Sequence, residues 1–126
     1  MKSFNLIYEE TCKTLIKEGG NAVPNVDRIK KCSINKTIKN FKNEVITFTA
    51  HYDSVIYSSG AWDNGTGSLT IMELMHYFKA NPPKRTVQFI WCGSEEMGLL
   101  GSKAYVEAHK EELTNYKLCI NIDMIG

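Results

Sequence analysis

Three short stretches of the chain consist mainly of β-branched, aromatic and other apolar residues, a composition typical of buried strands. They cover residues 45–50, 86–92 and 117–122. A weaker stretch, residues 34–42, alternates apolar and polar positions at Ile34, Lys36 and Ile38. This alternation predicts an edge strand or a hairpin ahead of the three buried strands.

Segments with helical periodicity separate the buried strands. One helix is predicted over residues 67–80 and ends at the two prolines that follow Asn81. A second is predicted over residues 102–113 with Ser102 as its N-cap. A third is predicted near residues 4–16 and ends at two glycines. Strands that alternate with helices predict a three-layer α/β/α sandwich with a mostly parallel central sheet.

Composition places the chain among ordinary globular proteins. Its 126 residues suit one compact domain, and 43% are hydrophobic and 23% charged. The net charge of +1 gives no reason to expect a nucleic-acid or membrane partner. No apolar run is long enough to span a bilayer, and acidic residues interrupt the first ten positions before a signal peptide could form. Both a cytoplasmic and an exported location therefore remain open.

The four cysteines form no C-x-x-C pair. Cys92 and Cys119 fall in apolar strands, where a thiol behaves as a small hydrophobic group, so we predict free cysteines in the core. Disulfides remain an alternative for an exported protein.

Residues capable of binding metal or moving a proton follow each of the three buried strands. They are His51 and Asp53 after the first strand, Glu95 and Glu96 after the second, and Asp123 after the third. Parallel strands end at the same edge of an open sheet, and ligands bind there. Asp63 lies in the polar loop 51–66 and can reach the same edge. The sequence therefore predicts one cluster of a histidine and several carboxylates.

Such a cluster suits zinc, which accepts imidazole nitrogen and carboxylate oxygen as ligands. One carboxylate can bridge two ions about 3.5–4 Å apart, and the pair lowers the pKa of a bound water towards about 7. A nearby carboxylate that is not a ligand can accept the proton of that water. The adjacent residues Glu95 and Glu96 can supply one ligand and one base.

Four sequence blocks resemble the co-catalytic zinc aminopeptidases. The blocks are HYDS at 51–54, DNGTG at 63–67, EEMGLLGS at 95–102 and NIDM at 121–124. The family includes bacterial leucyl aminopeptidase, aminopeptidase Y, glutamate carboxypeptidase II and glutaminyl cyclase. The resemblance covers residues 45–126 in the family's order, and it implies that these form the N-terminal portion of a zinc peptidase catalytic domain, preceded by a helix and lead-in strands in residues 1–44.

The resemblance also implies a role for each residue of the cluster. His51 and Asp123 would bind one zinc ion, Glu96 the other, and Asp63 would bridge both. Asp53 would hold the imidazole of His51 through its distal nitrogen. Glu95 would be the general base that takes a proton from a metal-bound water, and the resulting hydroxide would attack the N-terminal peptide bond. A cis peptide between Asp63 and Asn64 is also typical of the family.

The chain departs from the family at one position. The last histidine ligand of the second zinc lies downstream of the NIDM block in the family, whereas this sequence stops three residues after Asp123, and neither His76 nor His109 stands at a matching place. We therefore expect an incomplete chain that retains one zinc or none and has little activity by itself. A sheet edge left uncovered in this way would favour a homo-oligomer or a domain-swapped dimer.

Three other functions remain open at this point. Carboxypeptidase and glutaminyl cyclase activities share the same site in the family, with a peptide as substrate. The domain could also bind metal or a partner without catalysis. The presence of Glu95 argues against that reading, because a binding domain has no need of a base.

Overall fold

The structure, a computed structural model, describes residues 34–38 and 43–126. Its main elements are β1 (Ile34–Ile38), β2 (Val45–His51), α1 (Thr66–Ala80), β3 (Thr86–Cys92), α2 (Leu100–Ala108) and β4 (Tyr116–Asn121). No helix in this part of the chain is long and apolar enough to cross a bilayer. The predicted helix at 4–16, together with Cys12 and Cys32, lies outside the described residues.

The four strands form one sheet in the order β1-β3-β2-β4. β2 runs parallel to both β3 and β4, whereas β1 pairs antiparallel with β3 at the edge. The mostly parallel sheet and the edge strand near residue 34 are therefore confirmed. Because β2, β3 and β4 point the same way, their carboxyl ends lie along one edge of the sheet.

The hydrophobic core lies between α1 and one face of the sheet. Phe89 and Ile71 are fully buried there, and the ring of Phe89 stacks on that of Phe48 with centroids 5.7 Å apart. The indole nitrogen of Trp91 donates to the Ser68 carbonyl at 3.1 Å, and the Ser68 hydroxyl donates to the His51 carbonyl at 2.7 Å. The start of α1 is thus fixed against the ends of β2 and β3.

The opposite face of the sheet contacts α2. Gln88 donates to the Tyr105 hydroxyl at 2.9 Å, which joins β3 to the helix. Burial, together with the hydrogen bond to the Tyr116 hydroxyl, raises the pKa of Tyr105. With α1 on one face and α2 on the other, the described residues form the three layers that the sequence predicts.

The prediction for the second helix was wrong at both ends. α2 begins at Leu100 and ends at Ala108, and a separate 3₁₀ helix covers Lys110–Asn115. Ser102 is not the N-cap, because its hydroxyl donates to the Leu99 carbonyl from inside the first turn. The cause is the fold of the preceding loop, where the Leu100 amide donates to the Ser94 carbonyl at 3.0 Å. The helix therefore begins two residues earlier in the sequence than Ser102.

As predicted, neither of the two cysteines of the described residues forms a disulfide, but only one of them lies in the core. Cys92 is buried and Cys119 is exposed. The prediction of a buried Cys119 was therefore wrong. Among the described strands β4 pairs only with β2, so most of its side chains remain accessible.

Candidate metal centre at the carboxyl edge of the sheet

The imidazole of His51 lies at the centre of the predicted cluster. Its Nε2 atom is 3.0 Å from Asp63 Oδ1, 3.5 Å from Asp123 Oδ1 and 3.9 Å from Glu95 Oε2. His51 is the last residue of β2, Glu95 follows β3, and Asp123 follows β4. The topology thus brings together side chains that are up to 72 positions apart in the chain, counted from 51 to 123.

The possible ligand atoms fall into two overlapping groups. The atoms of His51, Asp63 and Asp123 lie within 4.8 Å of one another, and so do those of His51, Glu95 and Glu96. Asp63, Glu96 and Asp123, which the resemblance assigns to metal binding, are therefore all beside the one histidine. Their individual roles stay predictions.

Within the described residues, little positive charge balances the carboxylates of the cluster. No lysine or arginine of residues 34–38 and 43–126 forms an ion pair with these carboxylates. The Oε1 atom of Glu96 is buried without a hydrogen-bond partner in this part of the structure, an arrangement that is costly unless a cation or a donor is supplied. The donor set of one imidazole and several carboxylates is one that zinc accepts, so the residues present fit a divalent ion.

Burial and the neighbouring charges shift two pKa values in the cluster. Burial alone would lower the pKa of His51, but the negative charges of Asp123, Glu95 and Asp53 outweigh it and raise that pKa. Burial also raises the pKa of Glu96, and the charges of Asp63 and Glu95 raise it further. Both shifts favour the protonated forms of His51 and Glu96, and these protons compete with a divalent ion for the ligand atoms.

The side chain of Asp53 makes contacts in addition to the one with His51 that the resemblance implies. The carboxylate accepts the backbone N–H of Glu95 at 3.0 Å and that of Glu96 at 3.2 Å. The closest partner of His51 Nδ1 is the backbone oxygen of Asp53 at 3.1 Å, while the carboxylate is 3.6 Å away. Asp53 thus orients the imidazole through its main chain and tethers the Glu95-Glu96 turn through its side chain.

Asp63 lies in an irregular turn, Ala61–Gly65, that precedes α1. The turn opens at Gly60, whose φ of 66° is in the left-handed region, and closes with a hydrogen bond from the Gly65 amide to the Gly60 carbonyl. Asp63 and Asn64 have non-helical backbone angles, and the peptide bond between them is cis, in agreement with the resemblance. This conformation carries the Asp63 carboxylate to His51.

A cavity of about 370 Å³ adjoins the cluster on the face of the sheet that contacts α2. Most of its lining is apolar and comes from α2, the 3₁₀ helix and the sheet, with Leu99, Val106 and Leu113 among the contributors. His51, Glu95 and Asp123 form its polar end. An apolar recess thus opens directly beside the possible metal ligands.

Comparison with known proteins agrees with this geometry. Residues 33–126 match Peptidase family M28. Aminopeptidase YwaD of Bacillus subtilis is 43% identical over 93 residues, which are 72% of this chain and 20% of that protein. Leucine aminopeptidase 2 of Trichophyton equinum is 44% identical over 88 residues, 67% of this chain and 17% of its own length.

A solved structure shows the same fold. The crystal structure of BSAP, a zinc aminopeptidase from Bacillus subtilis, superimposes with a TM-score of 0.69 and 41% identity over 75% of this chain and 24% of that one. The chain spans about a fifth of the length of the curated relatives that it matches.

Proposed function

From the membership of this chain in Peptidase family M28, we propose that its described residues supply the larger part of a zinc aminopeptidase centre. Such a centre removes residues from the N-terminus of peptides. The observation that carries the proposal is the meeting of His51 with carboxylates that follow three different strands or turns, next to a buried and unpartnered oxygen of Glu96. Relatives named aminopeptidases, one of them a zinc enzyme, support it.

Four side chains would hold the metal. His51 and Asp123 would bind one ion and Glu96 the other, with Asp63 shared between them. The ligand atoms of His51, Asp63 and Asp123 lie within 4.8 Å of one another, which supports the first of these sets. When bound, zinc polarises a carbonyl and lowers the pKa of a water molecule towards about 7. The protein's contribution is to hold these ligands in place and to move the proton.

Glu95 is the residue proposed to move that proton. Its backbone N–H is fixed by Asp53, and its Oε2 atom lies 3.9 Å from His51 Nε2, close to the ligands. From this position the carboxylate can take a proton from the attacking water and pass it to the leaving amine. In this proposal Glu95 is the base and its neighbour Glu96 is a metal ligand.

The choice of an aminopeptidase over a carboxypeptidase rests on the relatives. Those of Bacillus subtilis and Trichophyton equinum are named aminopeptidases, and so is the solved zinc enzyme. The carboxylate cluster by itself suits either activity, because both share this site in the family.

Paired glutamate substitutions in the full-length protein test the proposal. We expect Glu95→Gln to retain zinc and to lower kcat on an aminoacyl chromogenic substrate by about 10²–10⁴-fold, because a positioned base is lost. Glu96→Gln should lose zinc as well as activity, whereas Glu107→Gln on the exposed side of α2 should change neither. Near-wild-type turnover of Glu95→Gln would remove that residue from its role.

A further inference from the structure

The side chain of Asn64 connects the two loops that carry Asp63 and Asp123. It is only 1% exposed, although it lies beside an open site. Its Nδ2 donates to the Ile122 carbonyl at 3.0 Å, and its Oδ1 accepts the amide of Gly67 at 2.9 Å and that of Met124 at 3.3 Å. A single amide group thus binds the residues on both sides of Asp123 and the first turn of α1.

The anchor of this connection is part of the sheet. The Ile122 amide donates to the Thr49 carbonyl at 2.9 Å, which extends the pairing of β2 with β4 by one step and fixes the Ile122 carbonyl that Asn64 binds. Beyond Asp123 the chain turns sharply, with Met124 in the left-handed region at φ 45°. A residue other than glycine rarely adopts this conformation, and Asn64 holds its N–H there.

Gly67 shows how closely the groups are packed. A Cβ atom at this position would lie 2.3 Å from Asn64 Oδ1 and 2.3 Å from the Ile122 carbonyl oxygen. No side chain fits between the helix and the amide without displacing one of them. Glycine at this position of the DNGTG block is therefore required by the contact between Asn64 and Ile122.

We propose that Asn64 is a positioning residue: its amide sets the separation of the Asp63 and Asp123 carboxylates on either side of His51, and so controls the affinity of the site for zinc. This inference rests on the proposed function. The two carboxylates belong to different irregular segments, and their side chains are 39% and 35% exposed, so packing does not fix them. Asn64 supplies the fixed link between the segments.

Zinc affinity of the 126-residue chain, measured by competition with a chelator at a temperature where every variant is folded, tests the proposal. Asn64→Ala should weaken binding by about 10–100-fold, the usual effect of removing a group that orients metal ligands. Asn64→Asp keeps the oxygen acceptor and should lose less zinc affinity than Asn64→Ala. Asn81→Ala, which removes an exposed asparagine that bonds the Tyr77 carbonyl at the other end of α1, should bind as wild type does.

Gly67→Ala distinguishes positioning from a general effect on the helix. Alanine is the better helix former, so an effect on α1 alone would stabilise the protein and leave zinc binding unchanged. Because the added methyl group would push Asn64 away from Ile122, we expect weaker zinc binding, as in Asn64→Ala. Wild-type affinity in Gly67→Ala would contradict the proposed contact.

Amide hydrogen exchange of the metal-free chain provides a readout that does not depend on zinc. In Asn64→Ala the amides of Gly67 and Met124 should exchange at least about tenfold faster, since they lose their acceptor, while those of Phe48 and Phe89 in the sheet keep their protection. If Asn64→Ala left the exchange rates of Gly67 and Met124 unchanged, the positioning role would be overturned. The same holds if the wild type binds zinc and Asn64→Ala binds it with equal affinity. Neither result would affect the proposed function. Absence of zinc from both the wild-type chain and the full-length protein would overturn the proposed function and this role with it.

Discussion

Removing the carboxylate of Asp53 should loosen the segment that carries Glu95 and Glu96. The carboxylate accepts both backbone N–H groups of that segment, at 3.0 and 3.2 Å. Hydrogen bonds to a charged group contribute about 1.5–3 kcal/mol each, so two would contribute about 3–6 kcal/mol at most. The side chain is 20% exposed, so water can replace part of the lost hydrogen bonding, and loss of the negative charge relieves repulsion within the cluster. Both effects reduce the cost of the substitution.

We therefore expect Asp53→Ala to lower the free energy of unfolding of the metal-free chain by about 2–3 kcal/mol. Asp53→Asn keeps one acceptor and should cost about half as much. Urea unfolding at neutral pH measures both, and zinc affinity should also fall by about 10–100-fold in Asp53→Ala, because Glu96 is no longer held.

Glu107→Ala is the matched control for this measurement. Its carboxylate is exposed and pairs with Lys110, so the change should stay within about 0.5 kcal/mol. If Asp53→Ala behaved like this control in both stability and zinc affinity, the tether between Asp53 and the Glu95-Glu96 turn would be refuted.

Two further predictions follow from the cluster and from the sheet edge. The folded-state pKa values of His51 and Glu96 are raised above their ordinary values of 6.5 and 4.5, so the stability that they contribute to the metal-free chain is present at low pH and is lost as pH rises through the raised values. Zinc should stabilise the chain more as pH rises, because its ligands lose their protons. Urea unfolding with chelator and with zinc checks both trends, and a metal-free stability that increases as pH rises through these values would contradict the first. β4 pairs only with β2 among the described strands, and half of Leu118 is exposed there, so we expect the chain to self-associate through this edge. Leu118→Lys should weaken the association. Light scattering measures it, and a wild-type monomer at high concentration would contradict the prediction.

The sequence predicted the strands well because their signal is local. β2 and β3 are runs of residues that only a buried strand accommodates, and their observed bounds differ from the predicted ones by no more than one residue. The cluster followed from topology, since parallel strands must end at one edge. Local composition and the parallel arrangement of the strands were sufficient to predict that His51, Glu95 and Asp123 lie together.

The contacts that organise the site could not be predicted in the same way. The Asp53 carboxylate binds amides 42 and 43 positions along the chain, and Asn64 binds a carbonyl 58 positions away. Nothing near either residue in the sequence indicates these partners, and Asn64 by itself resembles a turn residue. The start of α2 was missed for a related reason, because hydrogen bonds within the preceding loop determine it.

The central claim, that His51 and the carboxylates around it bind zinc, is tested most directly by metal analysis of the chain purified without chelator. His51→Ala removes the nitrogen that lies 3.0 Å from Asp63 and 3.5 Å from Asp123, while His76→Ala removes an exposed histidine of α1 as the control. We expect about one zinc per chain in the wild type and in His76→Ala, and a loss of most of it in His51→Ala. Equal zinc in the wild type and His51→Ala would contradict the assignment of this cluster as the metal site.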